Sequence, residues 1–544
     1  MNILIIGGVA AGTKVAAKLK RDNYNHNVKI LTKSKDISYA GCGLPYYVGN
    51  VIEEREKLIQ NTPEAFSALT GVDVVTEVEV TKVNPTEKTV EAIDLRTNET
   101  STHSYDKLVI ATGADPFRPP VEATDLNGVF YMRTPDDAIR LRESVEAGEI
   151  KRAVVVGGGF IGLEVAENLK EQGVMVSVID MADHILPGFE PELANYVENH
   201  LADLGIMTFT NTALEGIEGD ENGKVSKVKT NKRAMKADAV ILAIGIRPNT
   251  GFLADSGIEL APNRAIKVND KLETNIKDIY AAGDCALVTD MVTGKGAHSP
   301  MGSTANITGR ILAQNINGAD LTYGGALGTA VVKLPGLNVG RTGLSEDAAR
   351  DAGYDVITVT TVADDKAHYY PGSSNFIIKM IADKTTKRLL GIQVAGEGNI
   401  DKIIDMAVMA IGLGGKLDDI QNLDYAYAPP FSTAIHPFAL TVNALLNKIN
   451  GNLVSITPRE YAQGKAEGYK VIDSALVPKI AGAPYMDISK THDVLPGFDK
   501  DDKLLLVCDK GKRGYMLQQR LKAFGFTNTL VLEGGLIFNE VEVN

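Results

Sequence analysis

The 544-residue sequence predicts an α/β protein built on two Rossmann-like dinucleotide-binding units. Two observations predict that class. Apolar strands alternate with helices across glycine-rich turns, the pattern of parallel sheets covered by helices. One strand–turn–helix unit also occurs twice early in the chain, a repeat of a function-bearing unit rather than a solenoid period. At about 150 residues per domain, the length suggests three or four domains.

The first unit is a buried strand at Asn2–Ile6, the turn Gly7-Gly8-Val9-Ala10-Ala11-Gly12 and an Ala/Lys helix to about Lys20. The second is a strand at Ala153–Val156, the turn Gly157-Gly158-Gly159-Phe160-Ile161-Gly162 and a helix to about Gln172. In such a turn the first glycine makes the bend, the second lets a pyrophosphate approach and the third lets helix pack on strand. The second turn is complete. The strand Val176–Ile179 ends in Asp180, where a carboxylate hydrogen-bonds a ribose 2′-hydroxyl and repels a 2′-phosphate. NADH is therefore expected over NADPH. The first turn carries Val9 at its middle position, and its second strand ends Leu31-Thr32-Lys33, without an acid. Its support lies downstream. Thr274–Ala282 reads as a strand running into Gly283-Asp284, suited to placing a carboxylate on a flavin's sugar chain.

From about Leu327 to Leu446 the texture changes to alternating strands near Asn375–Met380 and Leu389–Gly396. A helix at Ile400–Leu413 follows, then Ala428-Pro429-Pro430 and another helix. The last 94 residues carry 12 bases and 12 acids, so the whole net charge of −13 sits in residues 1–450. That step marks a separate module. In it the strand Leu504–Val507 runs into Cys508-Asp509-Lys510-Gly511-Lys512-Arg513-Gly514 and a helix to about Phe524. A cysteine there sits among backbone N–H groups, which favour a thiolate or persulfide anion. Lys510, Lys512 and Arg513 outnumber Asp509, so the loop is expected to be net positive.

Composition excludes several classes. Acids outnumber bases 69 to 56, which disfavours a general nucleic-acid role. Hydrophobic residues at 44% and charged residues at 23% exclude disorder. Three cysteines (Cys42, Cys285, Cys508) cannot build a disulfide framework or a four-cysteine zinc site. A reducing, cytoplasmic home and no metal are expected. No apolar run reaches the 18 or so residues of a membrane helix. The N-terminal stretch has no basic region before its apolar run, so it reads poorly as a signal peptide.

With these motifs, together with Ala111-Thr112-Gly113 and Ala243-Ile244-Gly245 at two strand ends, the chain resembles the FAD-dependent pyridine nucleotide–disulfide oxidoreductases over roughly residues 1–446. The segment around Cys42, Ser38-Tyr39-Ala40-Gly41-Cys42-Gly43-Leu44-Pro45-Tyr46-Tyr47, resembles the coenzyme A–disulfide and persulfide reductases. The tail's Cys-x-x-Gly-x-Arg, with Phe524-Gly525-Phe526 and Glu533-Gly534-Gly535, resembles the rhodanese sulfurtransferases. The resemblance implies an FAD-binding domain at 1–113 and 246–326, split around an NAD-binding domain at 114–245. It further implies an α+β dimerisation domain at 327–446, a linker at 447–460 and a shortened rhodanese-like α/β domain at 461–544. A homodimer follows. A rhodanese domain usually has Asp-Val-Arg after its first strand; here Val471-Ile472-Asp473-Ser474 stands in, without the arginine.

Site residues follow from the same likeness. Cofactor contacts fall on Gly7, Gly12, Lys33, Thr112, Gly113, Arg133, Gly245 and Asp284, and on Gly157, Gly159, Phe160, Ile161, Gly162, Glu164 and Asp180. Of these, Phe160 resembles an aromatic gate over the nicotinamide pocket and Glu164 a residue near the flavin ring. Many relatives use a dithiol. Here the positions three and five residues after Cys42 are Pro45 and Tyr47, so its oxidised state must be a mixed disulfide, a persulfide or a sulfenic acid. Peroxidases of the family carry a histidine in the first glycine turn, where this chain has Ala10. Lys14, Lys18, Arg21, Ser38 and Asn306 match coenzyme A contact positions, and the bases suit its phosphates, although three bases at helical spacing also suit a solvated face. Gly41 replaces a usual asparagine. One tyrosine from Tyr369-Tyr370 and Tyr427 would reach the partner subunit's cysteine, where a phenol can protonate a leaving thiolate; they could instead be core or turn aromatics. His436 is expected to pack rather than act as a base, Cys285 to be a small buried hydrophobe, and Arg513 to serve Cys508. The function expected is NADH-dependent reduction of coenzyme A persulfide, coenzyme A disulfide or polysulfide, with sulfane-sulfur transfer by the tail. The alternatives are an NADH oxidase or peroxidase using a Cys42 sulfenic acid, and a non-catalytic sulfur-carrying or redox-sensing module.

Overall fold

The computed structural model describes residues 1–492 and 497–543. The chain forms two compact units: Met1–Pro187 with Leu201–Ala326, and Gly188–His200 with Leu327–Asn544.

The first unit holds two five-stranded parallel sheets. One orders its strands Ile279–Ala281, Lys107–Ile110, Asn2–Ile6, Asn27–Leu31, Asp73–Val75. Its central strand shows why the sequence runs apolar without alternation. Ile3 and Ile5 enter one buried cluster while Leu4 and Ile6 enter another. A strand covered on both faces needs apolar residues at every position. The second sheet orders Met207–Phe209, Met175–Ile179, Arg152–Val156, Ala239–Leu242, Val129–Phe130. The chain passes between the sheets through Ala114–Pro116 and Ile246–Pro248, which pair antiparallel.

The second unit begins with a five-stranded antiparallel sheet in the order Ala330–Leu334, Leu337–Gly343, Leu389–Gly396, Asn375–Asp383, Val356–Asp364. Midway along its fourth strand Lys379 is fully buried. Its ammonium lies 3.1 Å from Glu190, 2.6 Å from Glu192 and 2.9 Å from Glu346. A buried charge is tolerated only when paired and hydrogen-bonded. Burial pulls the Lys379 pKa down, but these three carboxylates more than reverse it and hold it above the ordinary value.

The tail is a four-stranded parallel sheet in the order Ser455–Ile456, Thr529–Leu532, Leu504–Val507, Lys470–Asp473, with the helix Lys512–Ala523. The stretch 447–460, expected as a linker, contributes structure instead. It carries the end of the helix Pro437–Ile449, the edge strand Ser455–Ile456 and the capped start of the helix Pro458–Ala462. A two-residue strand is too short to leave a periodic signal. Among the described residues, no helix is long and apolar enough to cross a membrane.

Candidate active site

The two glycine turns have the same steric cause. Gly7 has φ +111°, and a side chain there would meet Ala111 O at 2.1 Å; one at Gly12 would meet Gly7 O at 1.9 Å. Gly157 has φ +107° and the same relation to Ala243 O at 2.3 Å, and Gly162 to Gly157 O at 2.0 Å. These positions are glycine because backbone occupies the Cβ space. Gly159 differs: nothing lies within 4 Å of a Cβ placed there. The space it leaves opens at a helix N-terminus, which fits the approach of a pyrophosphate. Phe160 and Ile161 begin that helix, with Ile161 exposed. Asp180 closes the turn, its carboxylate accepting from Gly158 N at 2.7 Å and from Ala182 N at 2.8 Å.

The flavin-side residues converge from distant parts of the chain. Arg133 donates to Asp284 at 3.2 Å, and its guanidinium lies 3.1 Å from a Cβ placed on Gly113. Thr112 donates to Asn249 O at 2.7 Å, binding the two strand ends to each other. His298 is 2.8 Å from Asp284 O and fixes the Gly283-Asp284 turn. Gly245 has φ +99° and open space around it. Lys33 pairs with Glu79 at 2.9 Å on an exposed edge. A phosphate suits each of the two helix N-termini, where Val9 and Gly159 give the backbone N–H groups no side-chain cap.

Cys42 sits in a single 3-10 turn, Gly41–Gly43, and is solvent-accessible. Its thiol pKa is raised, first by the protein packed around it and then by Glu164 and Asp284, while Arg133 lowers it. One helical turn on, the Tyr46 hydroxyl donates to Glu164 at 3.4 Å. Burial pushes the Glu164 carboxyl up to about 7, the Tyr46 bond opposes this and Glu167 adds to it. Sequence reasoning selected Glu164 and missed Tyr46, because the two are 118 residues apart. At Gly41 the nearest atom to an added Cβ is a Tyr39 ring carbon at 4.0 Å, so the turn has room beside the thiol. Ser38 holds a left-handed backbone, φ 49°, with its N–H bonded to Gly8 O at 2.9 Å. The helix Ala10–Asp22 presents Lys14, Lys18 and Arg21. Lys18 pairs with Asp22 at 2.5 Å, so part of the expected positive charge is already engaged. Lys14 packs on Gly309 of the helix Gly302–Ile316, which also carries Asn306.

In the second unit Tyr369 and Tyr427 share a side-chain hydrogen bond, which raises the Tyr369 pKa. Both are exposed, at 66% and 50%. Tyr370 is outside this pair and is 40% exposed. His436 caps the helix Pro437–Ile449, its Nδ1 accepting from Phe438 N at 3.2 Å. Burial pushes its pKa down to about 4, with Lys402 adding to the shift. Cys285 is fully buried, donates weakly to Ala282 O at 3.4 Å and has its pKa pushed by burial up to about 11.

Cys508 lies at the floor of its loop, only 2% exposed, with Gly514 N donating to its sulfur at 3.4 Å. Two of the loop's charges are paired outside it, one of each sign, so its net positive balance is kept. Lys510 is paired with Asp364 at 2.6 Å and Asp509 with Lys479 at 2.5 Å. Arg513 donates to Ser474 O at 2.9 Å. Asp473, in the position of the usual Asp-Val-Arg, accepts from Ala475, Lys479 and Ile480 N–H groups and so shapes the neighbouring loop.

Residues 1–306 match the pyridine nucleotide-disulphide oxidoreductases, 329–439 the dimerisation domain of that family and 441–537 the rhodanese-like domain. The chain belongs to the pyridine nucleotide-disulphide oxidoreductases. It is an FAD-dependent oxidoreductase with a dimerisation domain and a rhodanese-like tail. A solved structure of an NAD-dependent persulfide reductase from A. fulgidus is 35% identical, with a TM-score of 0.94, over 99% of this chain and 100% of that one. The NAD(P)H coenzyme A polysulfide/persulfide reductase of Pyrococcus horikoshii is 35% identical over 82% of this chain and 98% of its own length. A protein of Methanocaldococcus jannaschii named NADH oxidase is 35% identical over 83% of this chain and all of its own. The likeness to the A. fulgidus structure covers 99% of this oxidoreductase and so includes the tail, whereas the P. horikoshii and M. jannaschii relatives align over 446 and 451 residues.

Proposed function

We propose that the protein reduces coenzyme A persulfide, coenzyme A disulfide or related persulfides and polysulfides with NADH, through Cys42 as its single redox cysteine. The observation that carries the proposal is Cys42 itself: an accessible thiol with Pro45 and Tyr47 where a resolving cysteine would stand, beside the Tyr46–Glu164 pair. A lone cysteine needs an external thiol as partner. Lys14, Lys18, Arg21, Ser38 and Asn306 are proposed to hold the coenzyme A moiety.

The Gly7–Gly12 turn, Asp284 and Arg133 would hold FAD, which when bound would supply two-electron transfer between NADH and the Cys42–sulfur bond. The residues of the chain do the rest. The Cys42 thiolate attacks the inner sulfur of a coenzyme A persulfide, forming a mixed disulfide with the coenzyme and releasing hydrosulfide. Arg133 steadies the thiolate, and the Glu164 and Asp284 carboxylates limit how early it forms. The hydrogen-bonded phenols of Tyr369 and Tyr427 would stand at the partner subunit's cysteine in a homodimer, and their bond favours Tyr369 over Tyr370 as the second phenol. They protonate the leaving coenzyme A thiolate. Overall, NADH and coenzyme A persulfide give NAD⁺, coenzyme A and hydrosulfide. Asp180 supports NADH over NADPH, since its carboxylate stands beside the turn where a 2′-phosphate would lie. Cys508 is proposed to carry sulfane sulfur, with Arg513 fixing its loop. Such chemistry suits a reducing cytoplasm.

In holoenzyme with FAD still bound, Cys42→Ser should abolish NADH-dependent sulfide release from coenzyme A persulfide, and retained turnover ends the proposal. A second reading, an NADH oxidase acting through a Cys42 sulfenic acid, draws on the M. jannaschii relative. Ala10 in the first turn, where peroxidases of the family carry histidine, weighs against its peroxidase form. Oxygen-dependent NADH consumption without added thiol would favour it.

A further inference from the structure

Besides backbone bonds from Leu536 N to Cys508 O and from Ile537 N to Asp509 O, the Cys508 loop has three side-chain anchors. Two are internal to the tail: Lys479 to Asp509 and Arg513 to Ser474 O. The third leaves it. Lys510 Nζ donates to Asp364 Oδ1 at 2.6 Å, and Asp364 ends the strand Val356–Asp364 of the antiparallel sheet. The next residue, Asp365, is buried and closes the tyrosine loop. Its N–H donates to Ser374 O at 3.0 Å, and its carboxylate accepts from Ser374 N at 2.8 Å. Tyr369, bonded to Tyr427, lies inside that loop. One dipeptide therefore holds two functional loops, the cysteine loop through Asp364 and the tyrosine loop through Asp365.

Docking does not require the Asp364 contact. The tail is already tied to the same strand by Glu533, whose buried carboxylate accepts from Thr360 N at 2.7 Å, from Lys448 at 2.6 Å and from Ser455 at 2.6 Å. The Lys510–Asp364 pair is about one-third exposed at each side chain, 29% and 32%, where an ion pair adds little stability. What it adds is geometry: it fixes the outer edge of the Cys508 loop at the root of the tyrosine loop.

We propose that Asp364 and Lys510 are positioning residues for sulfur transfer, holding the Cys508 loop in the register from which its sulfane sulfur passes to an acceptor thiol. The proposal rests on Cys508 being a sulfur carrier. In the step, an acceptor thiolate attacks the outer sulfur of the Cys508 persulfide. A new S–S bond forms on the acceptor, the Cys508 S–S bond breaks, and Cys508 leaves as thiolate. The transferred sulfur keeps the proton it carried in the Cys508 persulfide, and the sum of oxidation states is unchanged, so no external oxidant or reductant is needed.

The test uses full-length holoenzyme and two assays: transfer from inorganic polysulfide to coenzyme A, and NADH-dependent reduction of coenzyme A disulfide. Asp364→Asn and Lys510→Met should each lower kcat for transfer about tenfold with little change in KM, as small misplacements do. Disulfide reduction should be unchanged. The exchanged pair, Asp364→Lys with Lys510→Asp, should recover most of the loss, and raised salt should slow transfer in the wild type but not in the single variants. Transfer unaffected by either single variant, while Cys508→Ser abolishes it, overturns the positioning role and leaves the carrier role standing. Transfer unaffected by Cys508→Ser overturns the carrier role itself. Equal losses in both assays without recovery in the exchanged pair mean the contact is merely structural, which also overturns the proposal.

Discussion

Cys42 and Cys508 are opposite solutions to placing a reactive sulfur. Cys42 sits on one 3-10 turn, accessible to solvent, where the packed protein first and then Glu164 and Asp284 raise its pKa and Arg133 lowers it. Cys508 is buried at a strand–helix junction, with a backbone N–H on its sulfur and its loop held by three side-chain anchors beside backbone bonds. The first arrangement suits a thiol that must accept a bulky partner, be reduced and be released. The second suits a thiol that holds one small atom in one place. Electrostatics tunes Cys42, whereas backbone geometry defines Cys508.

That contrast can be broken experimentally, and the largest effect is expected at Cys42. Cys42→Ser should reduce sulfide release by about three orders of magnitude, the scale of losing a nucleophile; steady-state assay with coenzyme A persulfide measures it. Tyr427→Phe should follow with a loss of about a hundredfold, the range of general acid catalysis. The effect should fall on kcat and fade with a substrate whose leaving thiol is more acidic. Asp180→Ala should bring NADH and NADPH turnover about tenfold closer together, by removing a carboxylate that repels the 2′-phosphate.

The smallest effect is a shift in pH dependence. An ionised carboxylate disfavours a neighbouring thiolate, so Glu164→Gln should move the Cys42 alkylation profile to lower pH. The titration of Glu164 itself, near pH 7 in the fold, should vanish from the profile. Its raised pKa also has a sign for stability. The folded state binds the proton more tightly than the unfolded chain does. Glu164 therefore costs stability progressively as pH rises from about 4.5 to about 7, and the glutamine variant should lack that loss. Thermal melts across that interval measure it.

The difference between the cysteines also marks what a sequence can convey. The glycine turns were legible because their cause is local: a Cβ at Gly7 or Gly157 collides with backbone whatever else the fold does. Strands such as Asn2–Ile6 and Leu504–Val507 were legible because burial of both faces leaves an uninterrupted apolar run. Pairings across the chain were not. Arg133 and Asp284 were each selected, but their contact spans 151 residues. Tyr46–Glu164 and Lys510–Asp364 were not foreseen, since nothing near either residue announces its partner. The interaction of Tyr369 with Tyr427, 58 residues on, likewise leaves no local mark in the sequence.

The central claim is that one cysteine works with coenzyme A as its thiol partner, and intact mass tests it most directly. Protein incubated with coenzyme A disulfide, denatured without reductant and digested should show one coenzyme A on Cys42, removed when NADH is added before denaturation. Cys42 carrying only added oxygen, or no adduct, contradicts it.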